Sequence, residues 1–199
     1  GLTGAMHLMG ASEICLMSID NPELIDDYLE HEHAANLRAI EVLGELGADI
    51  VRRNGFYETA DFYSPATLDR FLTRRLNAEA DATRAAGMVT AYTAHTGVMP
   101  ILDYLANLTL ESIVGIDIAF EGVDIAAIHS ALAPSKSFWI GPCSTNHIWG
   151  GPEPTRQAVR DVMDCFTPTG LILSQCVSSH SIMPWDSTEA MIDEWNRLR

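Results

Sequence analysis

The sequence predicts an α/β protein of the parallel (β/α)8, TIM-barrel type, as an incomplete barrel that lacks its N-terminal βα units. Three observations predict this class. Long amphipathic helical stretches alternate with short apolar runs, which is typical of right-handed βαβ units. Five such runs occur in 199 residues, whereas a complete barrel needs ~250. No GxGxxG or GxxxxGK[ST] motif follows a strand, which weighs against a nucleotide-binding open sheet.

The individual elements follow from apolar spacing and from start and stop residues. Apolar side chains recur at helical spacing over 22–46, opened by Asn21-Pro22 and closed by Gly47. Ser64-Pro65 predicts an N-cap and a first helical residue for a helix that ends at Gly87. Strands are predicted at 48–51, 88–93, 112–116, 137–140 and 171–174, and further helices at 100–108, 123–132, 154–166 and 187–198. Residues 1–199 show no linker and are predicted to form a single α/β domain.

Composition and charge restrict the classes of partner. The chain is 47% hydrophobic and carries 12 Lys and Arg against 27 Asp and Glu, a net charge of −15, which disfavours nucleic acid and anionic membranes. No stretch approaches the ~18 uncharged apolar residues of a membrane span, and the start lacks the basic region of a secretory signal. Four scattered cysteines without a CxxC motif are typical of reduced thiols. We therefore expect a cytoplasmic protein that binds neither nucleic acid nor membrane.

In a parallel α/β fold, chemistry is expected in the loops that follow the strands. The reactive side chains predicted there are Arg52, Arg53, Asn54, Tyr57, Glu58, His95, Asp117, Cys143, Asn146, His147, Cys176 and His180. A catalytic zinc site needs three or four ligands and an open position, and four of the five loops carry a suitable side chain. The predicted metal ligands are His95, Cys176, Glu58 and Cys143. The alternative, buried packing cysteines and a hydrogen-bonded structural His95, stays open.

Aromatic and polar side chains near the same loops suit the wall of a substrate pocket. Tyr57, Asn54, Trp149 and His147 are predicted to bind a substrate. By contrast, His31 and His33 are expected on the solvated face of the acidic helix that begins at Pro22.

Short motifs occur in a fixed order along the chain. They are Leu8-Met9-Gly10, Asn21-Pro22-Glu23, Gly47-Ala48-Asp49, Ser64-Pro65, His95-Thr96-Gly97, Ile140-Gly141-Pro142-Cys143, Gly151-Pro152-Glu153 and Leu171-Ile172-Leu173-Ser174-Gln175-Cys176. This order resembles the C-terminal three-fifths of the uroporphyrinogen decarboxylase superfamily, whose members are (β/α)8 barrels. Ile140-Gly141-Pro142-Cys143 stands where that superfamily has G-N, and the motif that ends at Cys176 stands at its I-L-S-x-G-C. His95-Thr96-Gly97 stands at its H-x-C-G. The superfamily includes corrinoid-dependent methyltransferases, and the type that O-demethylates methoxylated aromatics is the closest.

The resemblance implies a zinc site, because methyltransferase members hold zinc with the His and Cys of H-x-C and a later Cys. Cys176 matches the later Cys. Thr96 stands at the first Cys position and His95 at the variable one, so a ligand set completed by Glu58 or Cys143 is expected. We further expect the side chains of His95 and Cys176 to converge on one mouth, lined by Glu58, Tyr57 and Trp149.

The function implied is transfer of a methyl group from a small, methoxylated aromatic substrate to a corrinoid carried by a partner protein. Glu58 and His95 are the expected catalytic acid and imidazole, and zinc the expected metal. One alternative is a uroporphyrinogen decarboxylase-like carboxy-lyase, for which Arg52, Arg53 and Arg156 are the available cations. Another is a non-catalytic fragment or binding module that covers its open interior as a homodimer.

Overall fold

The computed structural model describes residues 1–166, 170–176 and 183–199. His180 lies outside these ranges. The chain divides into two compact units, Gly1–Ser112 (unit 1) and Ile113–Arg199 (unit 2). This division does not decide whether the two units form one domain, so the single domain stays a prediction.

Unit 1 consists of helices and two paired strands. In chain order its elements are α1 (Leu2–Met9), α2 (Ala11–Asp20), α3 (Pro22–Glu45), β1 (Ile50–Asn54), α4 (Pro65–Leu68), the π-helical turn Asp69–Thr73, α5 (Arg74–Ala85), β2 (Val89–Thr93), the 3-10 turn Met99–Ile101 and α6 (Leu102–Asn107). The two strands are parallel, with Ile50 opposite Val89 and Asn54 opposite Thr93. The helices α1 and α2 precede the first helix that the spacing predicts.

Helix α3 ends where the sequence predicts, and its end explains why β1 starts later than predicted. Gly47, at φ +76°, allows its N–H to bond Gly44 and the next N–H, of Ala48, to bond Leu43. These two bonds form a Schellman motif, which keeps Ala48 in the helix cap. The strand predicted at 48–51 therefore runs over Ile50–Asn54, and Asn54 lies in the strand instead of the loop after it.

A buried cluster in unit 1 joins α3 to β1 and to the residue that precedes β2. Buried Ile40, Val51 and Met88 pack together with Leu43, Ala48 and Ala82 around them. The prediction of a solvated His33 is wrong, because His33 lies four residues after buried Leu29 and seven before Ile40, on the buried stripe of α3. Its Nδ1 lies 2.9 Å from Oε1 of Glu79 on α5.

Unit 2 continues the strand and helix alternation. Strand β3 (Ser112–Val114) begins at the last residue of unit 1, and α7 (Ile125–Leu132), β4 (Ser137–Ile140), the π-helical turn Ser144–Ile148, α8 (Pro152–Cys165), β5 (Leu171–Leu173) and α9 (Trp185–Leu198) follow. The N–H of Gly115 bonds the carbonyl of Trp139, and β4 pairs in parallel with β5. The α/β class is thus confirmed. The closed or incomplete (β/α)8 barrel stays a prediction.

Within the described residues, no single helix has the length and apolar character needed to cross a membrane. Only α1 and α2 taken together, with a bend of 118° between them, pass on length and composition.

Candidate metal centre

Three side chains that follow strands meet in unit 2. Asp117 comes after β3, Cys143 after β4 and Cys176 after β5. Their donor atoms all lie within 4.8 Å of one another, and each residue is at most 9% exposed. The thiol of Cys143 donates to Oδ2 of Asp117 at 3.4 Å. Among the described residues, this cluster combines three potential metal ligands in one buried place.

The backbone explains why the two cysteines are neighbours. The N–H of Ser174 bonds Ile140 at 3.3 Å, and the N–H of Cys176 bonds Pro142 at 3.2 Å. The parallel ladder of β4 and β5 therefore continues past both strand ends. In the segment that follows β4, Nδ1 of His147 accepts the N–H of Cys143 at 2.9 Å, and this bond anchors the loop that carries the cysteine.

The electrostatic environment of the cluster is short of positive charge. Burial raises the pKa of the Cys176 thiol, and the charge of Asp117 and the neighbouring Cys143 raise it further. Burial also lowers the pKa of His147, which favours the neutral ring that its role as an Nδ1 acceptor requires. A divalent cation would supply the missing positive charge and stabilise both thiolates.

The donor set fits zinc in type, and one of its spacings matches a zinc site. Zinc binds thiolate sulfur at about 2.3 Å and carboxylate oxygen at about 2.0–2.2 Å in a tetrahedral arrangement. Ligand atoms are then about 3.3–3.8 Å apart, and the observed Sγ to Oδ2 distance of 3.4 Å already matches. Three protein ligands leave a fourth position for water or substrate, as in catalytic zinc sites.

Two of the four predicted metal ligands, Cys143 and Cys176, lie in this cluster. The third member, Asp117, is a strand-end carboxylate that is not among the predicted metal ligands. Its signal in the sequence is positional, because it follows a predicted strand, as the two cysteines do. Thr96, at the position of the missing thiolate, donates to Oδ2 of Asp61 at 2.5 Å.

Four other predicted site residues, Glu58, His95, Tyr57 and Asn54, lie in unit 1. Glu58 is completely buried, and its two carboxylate oxygens accept the hydroxyl of Tyr92 at 2.6 Å and the N–H of Thr3 at 3.1 Å. Burial, reinforced by Glu58, raises the pKa of Tyr92 far above its usual value, so Tyr92 stays a donor.

Aromatic rings from residues that are close to Glu58 and Tyr92 in the sequence pack against one another. The ring of His95 stacks on Phe56 with centroids 4.5 Å apart, and Tyr57 meets Phe56 edge-on at 4.9 Å. Tyr57 is half-buried, whereas Asn54 is exposed. The expected convergence of His95 and Cys176 joins residues of different units and stays a prediction.

Two cavities in unit 2 differ in their relation to the metal centre. One, of about 370 Å³, is lined by Ile118, Val123, Ile125, His147, Asp161, Asp164 and Cys165. It therefore contains His147, a predicted substrate-binding residue next to the Cys143 loop. The other, of about 550 Å³, lies at the starts of β4 and β5, with Phe138 and Leu171 in its wall, and holds none of the predicted residues. Trp149 is 50% exposed.

The arginines that a carboxy-lyase would use are engaged in other contacts. Nε of Arg53 lies 2.6 Å from Glu79, and Arg156 lies 3.6 Å from Glu194. Nε of Arg52 donates to Thr93 at 3.0 Å. These contacts argue against a pocket that holds several substrate carboxylates.

Comparison with known proteins shows a related fold. No protein-family model matches the chain, and no curated protein sequence matches it. A solved structure of a methyltransferase from Methanosarcina mazei is similar, with a TM-score of 0.82 at 16% sequence identity. The match covers 99% of this chain and 56% of that one, so the chain spans about half the length of that protein. At this identity the likeness shows the fold, and membership of the uroporphyrinogen decarboxylase superfamily stays a prediction.

Proposed function

We propose that the protein is a methyltransferase that moves a methyl group from a small methoxylated aromatic substrate to a corrinoid carried by a partner protein. The observation that carries the proposal is the buried cluster of Asp117, Cys143 and Cys176 at the ends of three strands. The similar fold of the Methanosarcina mazei methyltransferase supports the reaction class.

The three residues would hold zinc in this proposal. The chemistry that zinc supplies when bound is Lewis-acid polarisation of the ether oxygen, so that the aromatic group leaves as a phenolate when the methyl group passes to cob(I)alamin. Because the three side chains are buried, the ligands themselves are shielded from bulk water. His147 positions Cys143 by accepting the backbone N–H of that residue.

Glu58 and His95 remain the proposed acid and imidazole. Tyr92 donates to Oε2 of Glu58, which fixes the orientation of this carboxyl group. Stacking on Phe56 fixes the plane of the His95 ring. These contacts fix the orientation of both side chains.

Methyl transfer is tested with the zinc-loaded protein, methoxybenzoates and cob(I)alamin, by following conversion to methylcobalamin in the absorption spectrum. We expect turnover by the wild type and a loss of at least about 100-fold in Asp117→Asn, Cys143→Ser and Cys176→Ser. Cys15→Ser is the matched control, because this half-buried cysteine lies on α2 in unit 1, outside the cluster, and the variant should keep its activity. No turnover by the wild type, or equal turnover by all variants, contradicts the proposal.

A binding titration with coproporphyrin separates this function from a carboxy-lyase. A methoxyarene methyltransferase should not bind this polycarboxylate, since the arginines Arg53 and Arg156 already contact Glu79 and Glu194. Saturable binding would favour the carboxy-lyase.

A further inference from the structure

Cys143 and Cys176 are direct neighbours across the parallel strand pair. The register of β4 and β5 places Phe138 opposite Leu171 and Ile140 opposite Leu173, a constant difference of 33 in residue number. The bond from the N–H of Cys176 to Pro142 shows that the ladder keeps this register beyond the strands. Cys143 and Cys176 differ by the same 33 residues. Paired residues on adjacent strands point to the same face of a sheet.

This geometry is compatible with a covalent bond between the two sulfurs. Adjacent strands lie about 4.8 Å apart, inside the Cα to Cα range of about 4.4–6.8 Å found for disulfides. The two sulfurs lie within 4.8 Å of each other, and both thiols are free. Rotation of the side chains, without separation of the strands, is therefore enough to bring the sulfurs together.

We propose that Cys143 and Cys176 form a redox-active dithiol, which a peroxide converts into an intramolecular disulfide. Cys143, whose thiol donates to Oδ2 of Asp117, gives its proton to that carboxylate and attacks hydrogen peroxide, the O–O bond breaks, and a sulfenic acid on Cys143 and water result. The second sulfur then attacks the sulfenic sulfur, the S–S bond forms, and a second water leaves. Two thiols lose two protons and two electrons, and one peroxide becomes two waters. Reduction by a dithiol reverses the reaction.

The disulfide and the metal compete for the same atoms. Oxidation removes two of the three donors of the candidate metal centre, and bound zinc would occupy both sulfurs. Disulfide formation itself requires no metal and goes beyond methyl transfer. The expectation that the disulfide stops methyl transfer, because it removes two zinc ligands, rests on the proposed function.

The remaining cysteines provide matched controls. Cys15 lies on α2 in unit 1 and donates to the carbonyl of Phe62 at 3.8 Å, and Cys165 lies near the end of α8. Both are half-buried, which makes them more exposed than Cys143 and Cys176. If solvent exposure alone decided which thiol reacts with peroxide, Cys15 and Cys165 would react first.

The test treats the reduced, metal-free protein with hydrogen peroxide and maps cysteines by mass spectrometry after alkylation. We expect a protein that has lost two hydrogens, with Cys143 joined to Cys176 and with Cys15 and Cys165 alkylated. Cys176→Ser should instead accumulate a sulfenic acid on Cys143 that dimedone captures, Cys143→Ser should accumulate none, and Cys15→Ser and Cys165→Ser should still form the disulfide. Preloading with zinc should slow the reaction.

Two results overturn the inference. The first is oxidation of Cys15 or Cys165 with Cys143 and Cys176 left as thiols. The second is conversion of the pair to sulfinic or sulfonic acids without a disulfide. A disulfide in a protein that binds no zinc refutes the metal centre alone, and zinc binding without a disulfide refutes this inference alone.

Discussion

At the scale of single residues, the carboxyl group of Glu58 shows how unit 1 satisfies a buried polar side chain. Oε2 accepts the hydroxyl of Tyr92 and Oε1 accepts the N–H of Thr3. A buried acceptor that loses its partner keeps the whole cost of its desolvation. The Tyr92 hydroxyl is therefore expected to stabilise the folded state through Glu58.

We expect Tyr92→Phe to lower the free energy of unfolding by about 1–3 kcal/mol, because Oε2 of Glu58 loses a hydrogen bond in a buried place. Urea denaturation measures this change. The control is Tyr63→Phe, since the buried hydroxyl of Tyr63 lies beside the thiol of Cys15, a weak hydrogen-bonding group, and its loss should cost less. Equal effects of the two substitutions would contradict a stabilising role for the Tyr92 hydroxyl.

Asp117 offers a second test at this scale. Removing a metal ligand should weaken zinc binding more than changes around a ligand do, which typically cost 10–100-fold. We expect Asp117→Asn to raise the zinc Kd by more than about 100-fold in a competition titration with a chromophoric chelator. Asp161→Asn, at an exposed carboxylate of the neighbouring cavity, is the control and should leave the Kd unchanged. A Kd that Asp117→Asn leaves unaltered would remove Asp117 from the site.

For single residues, the sequence predicts which strand a side chain follows better than it predicts which side chains it contacts. Cys143, Cys176 and Asp117 are placed at strand ends by spacing alone, because parallel strands end at the same edge. Which of them meet depends on the register of β4 against β5, which no local pattern encodes. His33 is the opposite case, because its spacing from Leu29 and Ile40 identifies the buried stripe, whereas the surrounding acidic residues suggested solvent.

At the scale of elements, α8 and α9 are joined by one carboxylate. Glu194 on α9 accepts Nε of Arg160 on α8 at 2.8 Å and contacts Arg197 on its own helix. Hydrogen bonds from Arg197 and then Arg160 lower the pKa of Glu194 from 4.5 to about 2. A carboxyl group with a lowered pKa in the folded state stabilises that state at pH values above its unfolded pKa.

The stability that Glu194 provides should therefore be complete above about pH 5 and be lost as the pH falls from there towards 2. We expect Glu194→Gln to lower the free energy of unfolding by about 1–3 kcal/mol at pH 7 and to flatten its decline over that acidic window. Thermal unfolding at a series of pH values measures both effects. Glu189→Gln, an exposed carboxyl on the same helix, should leave the pH profile unchanged. If the stability of Glu194→Gln depended on pH in the same way as that of the wild type, the assignment of the acid-sensitive stability to Glu194 would be contradicted.

Element boundaries were predictable where a cap is encoded locally. Gly47 and Gly87, both at positive φ, end α3 and α5 with the same pair of bonds, and Ser64 caps α4 by accepting the N–H of Thr67 at 3.1 Å. The predicted end of β1 at residue 51 is too early because Arg52, Arg53 and Asn54 appear polar in sequence. Pairing with β2 determines their conformation, and this long-range contact leaves no local trace.

At the scale of the whole molecule, the α/β class follows from an alternation that spans most of the chain, so single errors do not change it. The barrel and the meeting of His95 with Cys176 depend on how units 1 and 2 are arranged, and both stay predictions. A ligand that binds only the folded state raises the stability of that state, so the shift in unfolding temperature reports on the whole fold.

Zinc should therefore stabilise the protein against heat. At a free zinc concentration of 100 times Kd, binding adds about 2.7 kcal/mol, which corresponds to a rise in Tm of about 5–10 °C for a chain of this size. Differential scanning calorimetry measures the rise. Asp117→Asn and the peroxide-oxidised protein should show no rise under the same conditions. An unchanged Tm for the reduced wild type would contradict zinc binding to the folded state.

The central claim is that Asp117, Cys143 and Cys176 hold zinc together, and X-ray absorption spectroscopy of the zinc-loaded protein tests it most directly. We predict two sulfur scatterers at about 2.3 Å, with the remaining scatterers being oxygen or nitrogen at about 2.0–2.2 Å. In Cys176→Ser the sulfur count should fall to one, and in Cys165→Ser it should stay at two. A shell of oxygen and nitrogen alone, or four sulfurs, would contradict the claim.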